Sequence, residues 1–157
     1  MRSFVKLLIP LALIQVCTCI GCGSSEVPKP KEDLVPVSGS VKLKDKAEEG
    51  IQVIFNPVGN NTKSRGGTAV TNSEGEFSLK NFANQDGLPV GEYAVTFSMM
   101  RTADGSVHPK GAPPIPGVSA VEKIPPKWND LKKQGPHNLV KVPAGGKDDF
   151  EFKITDK

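Results

Sequence analysis

Three cysteines, Cys17, Cys19 and Cys22, stand close together, and no other occurs in the 157-residue chain. Cys19 and Cys22 have the C-x-x-C spacing of a metal or disulfide pair. A structural zinc site wants about four ligands, and the two histidines, His108 and His137, lie far along the chain in Pro- and Gly-rich contexts. No H-x-x-x-H or H-E-x-x-H pairs them, so each reads as a loop imidazole. No G-x-S-x-G elbow occurs. Gly66-Gly67 and Gly145-Gly146 precede no helix that could cradle a phosphate. Oxygen ligands for calcium could come from Asp148, Asp149 and Glu151, or from Asn84, Gln85 and Asp86. Adjacent strand residues point to opposite faces, so the first group reads better as edge charges that discourage sheet-to-sheet pairing. Lys42 or Lys44 with Asp149 are nominal partners for an intramolecular isopeptide bond. Both lysines fall on a polar face, where that chemistry lacks the burial it needs. Asn60-Asn61-Thr62 matches a glycosylation sequon and reads as a polar loop. These residues lead to no expected catalytic group, cofactor or metal.

The elements around the cysteines give them a different use. Arg2 and Lys6 form a positive segment, and Leu7 to Ile9 with Leu11 to Ile14 form an apolar one. That pattern is an export signal, too short for a membrane span of ~20 apolar residues. Cys19-Ile20-Gly21-Cys22 resembles the lipobox of bacterial lipoproteins, with Cys19 where an aliphatic residue is usual. The resemblance implies cleavage of residues 1–21 and lipidation of Cys22, hence a protein held to a membrane of the cell envelope. Gly23 and Ser24 follow the cysteine, with no Asp to signal inner-membrane retention, so an outer membrane is expected. Residues 22–34 are rich in Gly, Ser, Pro, Lys and Glu and read as a lipidated flexible tether. Cleavage would remove Arg2 and Lys6 and leave 18 of the 20 basic groups against 17 acidic ones. So even a balance gives no electrostatic footprint for nucleic acid. With no second cysteine in the mature chain, a domain over residues 35–157 must be held by its core alone.

Beyond the tether, apolar residues alternate with polar ones, the period of half-buried strands. Val37, Val41 and Leu43 share a face with Gly39, and Ile51, Val53 and Phe55 share another. Phe77 and Leu79 follow, then Tyr93, Val95, Phe97 and Met99. Val140 and Val142, and finally Phe150, Phe152 and Ile154, complete the set. Residues 67–71 form a weaker strand. Lys44-Asp45-Lys46, Asn72-Ser73-Glu74-Gly75 and Ala144-Gly145-Gly146 supply turn chemistry. Only residues 130–134 could make a helical turn. The expected fold is all-β, a seven-stranded antiparallel β-sandwich.

Val37-Ser38-Gly39-Ser40-Val41 with Gly50-Ile51-Gln52-Val53-Ile54-Phe55 resembles the first hairpin of the transthyretin-like, carboxypeptidase-regulatory-like domain. Thr71-Asn72-Ser73-Glu74-Gly75-Glu76-Phe77-Ser78-Leu79 is similar to its second hairpin. Leu88-Pro89-Val90-Gly91-Glu92-Tyr93-Ala94-Val95 looks like the approach to a core strand. Ile124-Pro125-Pro126-Lys127-Trp128-Asn129-Asp130 resembles the end of the proline-rich insert found in small lipoproteins with this domain. The resemblance implies an accessory, non-catalytic module and carries no warrant for a specific activity. Members that hydrolyse hydroxyisourate need a His and Arg constellation and a C-terminal motif that this chain lacks. The expectation is therefore a monomeric structural or protein-interaction lipoprotein, with an envelope protein or a glycan as partner. A carbohydrate-binding module is the alternative, and an enzyme is disfavoured.

Within this reading, the long insert of residues 100–130 is the most distinctive segment, since such loops are usually functional. It holds several prolines and the only tryptophan. Lys127, Trp128, Asn129 and Asp130 are the expected partner-binding residues if the segment is a contact surface. The reading preferred for the segment is a pinned crossover in which Trp128 caps the core, with the contact surface as the alternative.

Overall fold

The computed structural model describes residues 33–62, 64–108, 113, 116–133, 135 and 138–156. The export signal, Cys17, Cys19, Cys22, nearly all of the tether, and His137 lie outside them. Short alternating runs set the elements in chain order. These are β1 (Leu34–Val35), β2 (Val37–Leu43), β3 (Lys46–Ala47), β4 (Gln52–Pro57), β5 (Gly67–Val70), β6 (Glu76–Ser78) and β7 (Lys80–Asn81). Then come β8 (Leu88–Pro89), β9 (Gly91–Ser98), β10 (Met100–Thr102), β11 (Val107–His108) and β12 (Ala120–Glu122). A single helical turn, α1 (Pro126–Asn129), precedes β13 (Leu139–Val142) and β14 (Lys147–Ile154). The described chain is thus all-β, with short helical turns only.

Five strands pair in the order β13-β9-β4-β5-β7, all antiparallel. A second sheet runs β14-β2-β3, with β6 also on β2. Side chains from both sheets meet in one apolar cluster from Val37 to Ile154. Phe55 of β4 lies 5.7 Å from Phe150 and 6.3 Å from Phe152 of β14, and Phe97 of β9 lies 5.1 Å from Phe152. The tilted and edge-on geometries are those aromatic quadrupoles favour. Every apolar side chain that alternation turns inward is buried, except Val140, which is partly so.

One pairing corrects the expectation of an all-antiparallel arrangement: β14 runs parallel to β2. After β13 leaves the first sheet, the Pro143–Gly146 turn lifts the chain across, and the Lys147 N–H donates to Pro36 O at 2.9 Å. The strand therefore joins β2 at its start and runs in the same direction. Lys147 sits opposite Val37 and Phe150 opposite Gly39, so β14 carries one extra residue, a bulge. At Gly39 a Cβ would lie 2.2 Å from Phe150 O, so only glycine lets the two backbones approach this closely.

The familiar-looking motifs have plain mechanical roles. Buried Thr71 accepts a bond from the Ile51 N–H at 2.9 Å and donates its hydroxyl to Glu48 O at 2.6 Å. The Asn72 side-chain oxygen accepts from the N–H groups of Glu74 and Glu76, and Gly75 turns the chain at φ 76°. Tyr93 is fully buried, and its hydroxyl donates to Pro89 O at 2.7 Å.

Candidate functional site

The insert begins as β9 runs into β10, which pairs antiparallel with both β11 and β12. Its first turn is tied by Asp104, which accepts from the Thr102 hydroxyl and from the Ser106 N–H. Those bonds, Thr102's first, hold the Asp104 carboxyl below its usual value. Arg101 fastens this small sheet to the turn before β4, donating to Glu49 O at 2.8 Å, with the Glu48 carboxylate 3.8 Å away.

The returning half is fixed more deeply. Pro126 opens α1, the position where proline's missing N–H costs nothing. The turn sends Trp128 inward: its ring is 7% exposed and lies 6.0 Å from that of Phe97. The indole N–H donates to Thr155 O at 3.0 Å, beyond the end of β14. Among the described residues, Glu122 accepts from the Ser98 hydroxyl (2.6 Å), the Met99 N–H (2.8 Å), the Ile124 N–H (3.0 Å) and the Asn129 amide (2.9 Å).

These contacts share one task, completing the outer edge of β9 and β10. β13 pairs with residues 91–94 of that edge. Past its end, the Asn138 amide donates to Val95 O at 3.2 Å and the Asn129 amide to Phe97 O at 2.9 Å. Glu122 then takes the Met99 N–H, the Lys123 N–H donates to Met99 O, and β12 pairs with residues 100–102. Side chains thus stand in for a missing strand, as buried backbone groups require.

Lys127, Trp128, Asn129 and Asp130 are brought together on this turn, but they do not present an aromatic contact surface. Of the two readings of Trp128, its burial against the core fits the pinned crossover. Lys127 lies over it, with Nζ 5.4 Å from the centroid, and Asn129 is engaged with β9 and Glu122. Asp130 caps the following turn by accepting from the Lys132 N–H at 2.9 Å. A shallow pocket of about 530 Å³ lies beneath, with Ile54, Asn56 and Thr96 on the sheet side and residues 129–132 on the other. Glu122 and Asn138 escape sequence reasoning, since neither sits in a recognisable spacing and both act across more than twenty residues.

The remaining candidates stay apart. His108 lies on β11 opposite Met100. Asp149 pairs with Lys147, whose hydrogen bond and charge hold the carboxyl below its usual value. Lys44 pairs with Asp156 at 2.7 Å, and Lys42 is exposed. Asn81, not Asn84, organises its loop, accepting from the Ala83 and Gln85 N–H groups. Among the described residues, no group of three or more His, Cys, Asp or Glu could hold a metal ion. A groove of about 750 Å³ is open and polar, lined by Ser38, Ser40, Glu76, Asp148 and neighbours. Compared with protein-family models, curated proteins and solved structures, the chain matches none of them.

Proposed function

We propose that this chain is an exported, lipid-anchored protein of a bacterial cell envelope, in the outer membrane, attached through Cys22. Its domain is a seven-stranded β-sandwich of transthyretin-like type that serves as a non-catalytic structural or protein-interaction module. The observation that carries the module reading is the insert. Its described returning part, residues 116–130, is held to β9 through Glu122 and Asn129 and to the end of β14 through Trp128. A surface fixed in this way loses little entropy when a partner docks. The anchor reading rests on the charged and apolar segments ahead of Gly21-Cys22.

A glycan as partner finds less support. Of the described aromatic side chains, Phe82 alone is exposed, so no planar row for sugar rings is formed by them. Mass spectrometry of the membrane fraction tests the proposal. It should yield an N-terminal peptide beginning at diacylated Cys22, whereas an unmodified Cys22 in a soluble fraction would sink the anchor. A pull-down from envelope extract beside a glycan array then distinguishes a protein partner from a sugar.

A further inference from the structure

Of the strands that end the two main sheets, β14 is the longest, with eight residues against four in β13. It pairs with β2 on one side, and among the described residues no strand pairs with it on the other. The parallel register opposite Gly39, Val41 and Leu43 fixes which groups face that open side. The Lys44 N–H donates to Ile154 O at 2.9 Å, so Ile154 turns its main-chain groups to β2. By alternation Phe152 and Phe150 do the same. Glu151 and Lys153, between them, turn their N–H and C=O away from β2. An edge of this kind is a template for another strand.

Both ends of this edge are closed. At its start the bulge between Lys147 and Phe150 interrupts the ladder, and Asp148 and Asp149 add exposed charge there. Those are devices that blunt an edge. At its finish the Trp128 indole N–H takes Thr155 O. What stays open is residues 150–154, where Phe150, Phe152 and Ile154 are buried and Glu151 and Lys153 are exposed. None of the ion pairs among the described residues uses Glu151 or Lys153.

We infer that this stretch pairs with the same stretch of a second copy of the chain, antiparallel, about a twofold axis at Phe152. The charges along the strand select both the occupant and the register. Two identical edges that meet about an axis perpendicular to the sheet run antiparallel and keep their core faces on one side. Glu151 and Lys153 exchange main-chain bonds with the second copy only when the axis passes through a residue. An axis at Phe150 sets Asp149 against Glu151 of the second copy. One at Glu151 sets that carboxylate against itself, and one at Lys153 does the same with the ammonium group. With the axis at Phe152, Glu151 faces Lys153 of the second copy and Lys153 faces its Glu151. Opposite charges then stand across the seam, and each pair exchanges both of its N–H···O bonds. Each copy offers one such edge, so the contact closes as a dimer and does not propagate. This edge is separate from the insert's turn and needs no anchor, and it departs from the monomer expected of the sequence.

The full chain is tested by sedimentation in detergent, where it should form a concentration-dependent dimer. Glu151→Lys or Lys153→Glu alone sets like charges face to face and should weaken that dimer roughly tenfold. The two reversals combined should restore it. A chain that stays monomeric throughout, or a dimer indifferent to the single reversals, would overturn the inference. Emission from Trp128, the only tryptophan, reports that each variant keeps its core. The register is read by co-expressing differently tagged chains, one with Glu151→Cys and one with Lys153→Cys, and oxidising them. Directly opposed Cα atoms, about 5.5 Å apart, can be bridged, whereas positions two residues out of register cannot. The mixed disulfide should therefore exceed either like-with-like product, above the background that the unsubstituted chain sets with its own cysteines. Glu151→Cys joined chiefly to itself would move the axis off Phe152 and overturn the pairing.

Discussion

Trp128 shows how much a single side chain holds when it is shared between core and insert. Its ring packs on Phe97 and its N–H donates to Thr155 O, so it joins α1, β9 and the end of β14. Trp128→Ala should cost ~3–5 kcal/mol, read as a lower urea midpoint. Trp128→Phe keeps most of the packing and loses the indole bond, so its cost should be nearer ~1 kcal/mol. An unmoved midpoint for the alanine variant would deny the ring its core role. The sequence around Trp128 leaves both of its readings open, because Pro126 and Lys127 suit a surface turn and a buried one alike. What turns the ring inward is Glu122 and the carbonyl of Phe97, which no local pattern announces. Asn72, Gly75 and Tyr93 are more legible, since Asn72 bonds Glu74 and Glu76, Gly75 closes that same turn and Tyr93 reaches Pro89 four residues back.

At the scale of elements, alternation carries nearly everything that could be read. Strands β2, β4, β5, β6, β9, β13 and β14 fall where polar and apolar residues exchange every second position, and their inward faces are buried. The short strands β1, β3, β7, β8, β10, β11 and β12 are too brief to show a period. The helical turn expected over residues 130–134 is present at Leu131–Lys133, while α1 ahead of it goes unread, although Pro126 fits the first helical position. Direction is illegible as well: a parallel and an antiparallel strand alternate identically, so β14 could be placed as a strand but not oriented. The β2–β3 hairpin yields a prediction of its own. Leu43 faces Lys46, and the two residues between, Lys44 and Asp45, hold φ of 52° and 64°. This is the turn that Asn-Gly suits best. Asp45→Gly should relieve left-handed strain and stabilise the protein by about 0.5–1 kcal/mol, visible as a higher melting temperature. A drop would mean that the glycine's freedom in the unfolded chain outweighs the strain.

Across the whole molecule, the core draws on both ends of the domain, since Val37 and Ile154 belong to one cluster. Neither sheet could bury its apolar face without the other, so the two must form together. The parallel seam between β2 and β14 has a consequence for a domain pulled from both ends of its chain. Tension drawn through β1 pulls β2 toward its start, while tension drawn through Thr155 pulls β14 toward its finish. Two strands running the same way then slide along each other, and their ladder from Val37 to Leu43 bears the load in shear, all rungs at once. Pulling instead on Gly145, where β14 begins, would peel the rungs one by one. Force spectroscopy should find a clearly higher rupture force in the first geometry, since forced unfolding follows the barrier and not the equilibrium stability. Equal forces would mean that the seam is not what yields. A domain built this way resists being torn open by its two ends.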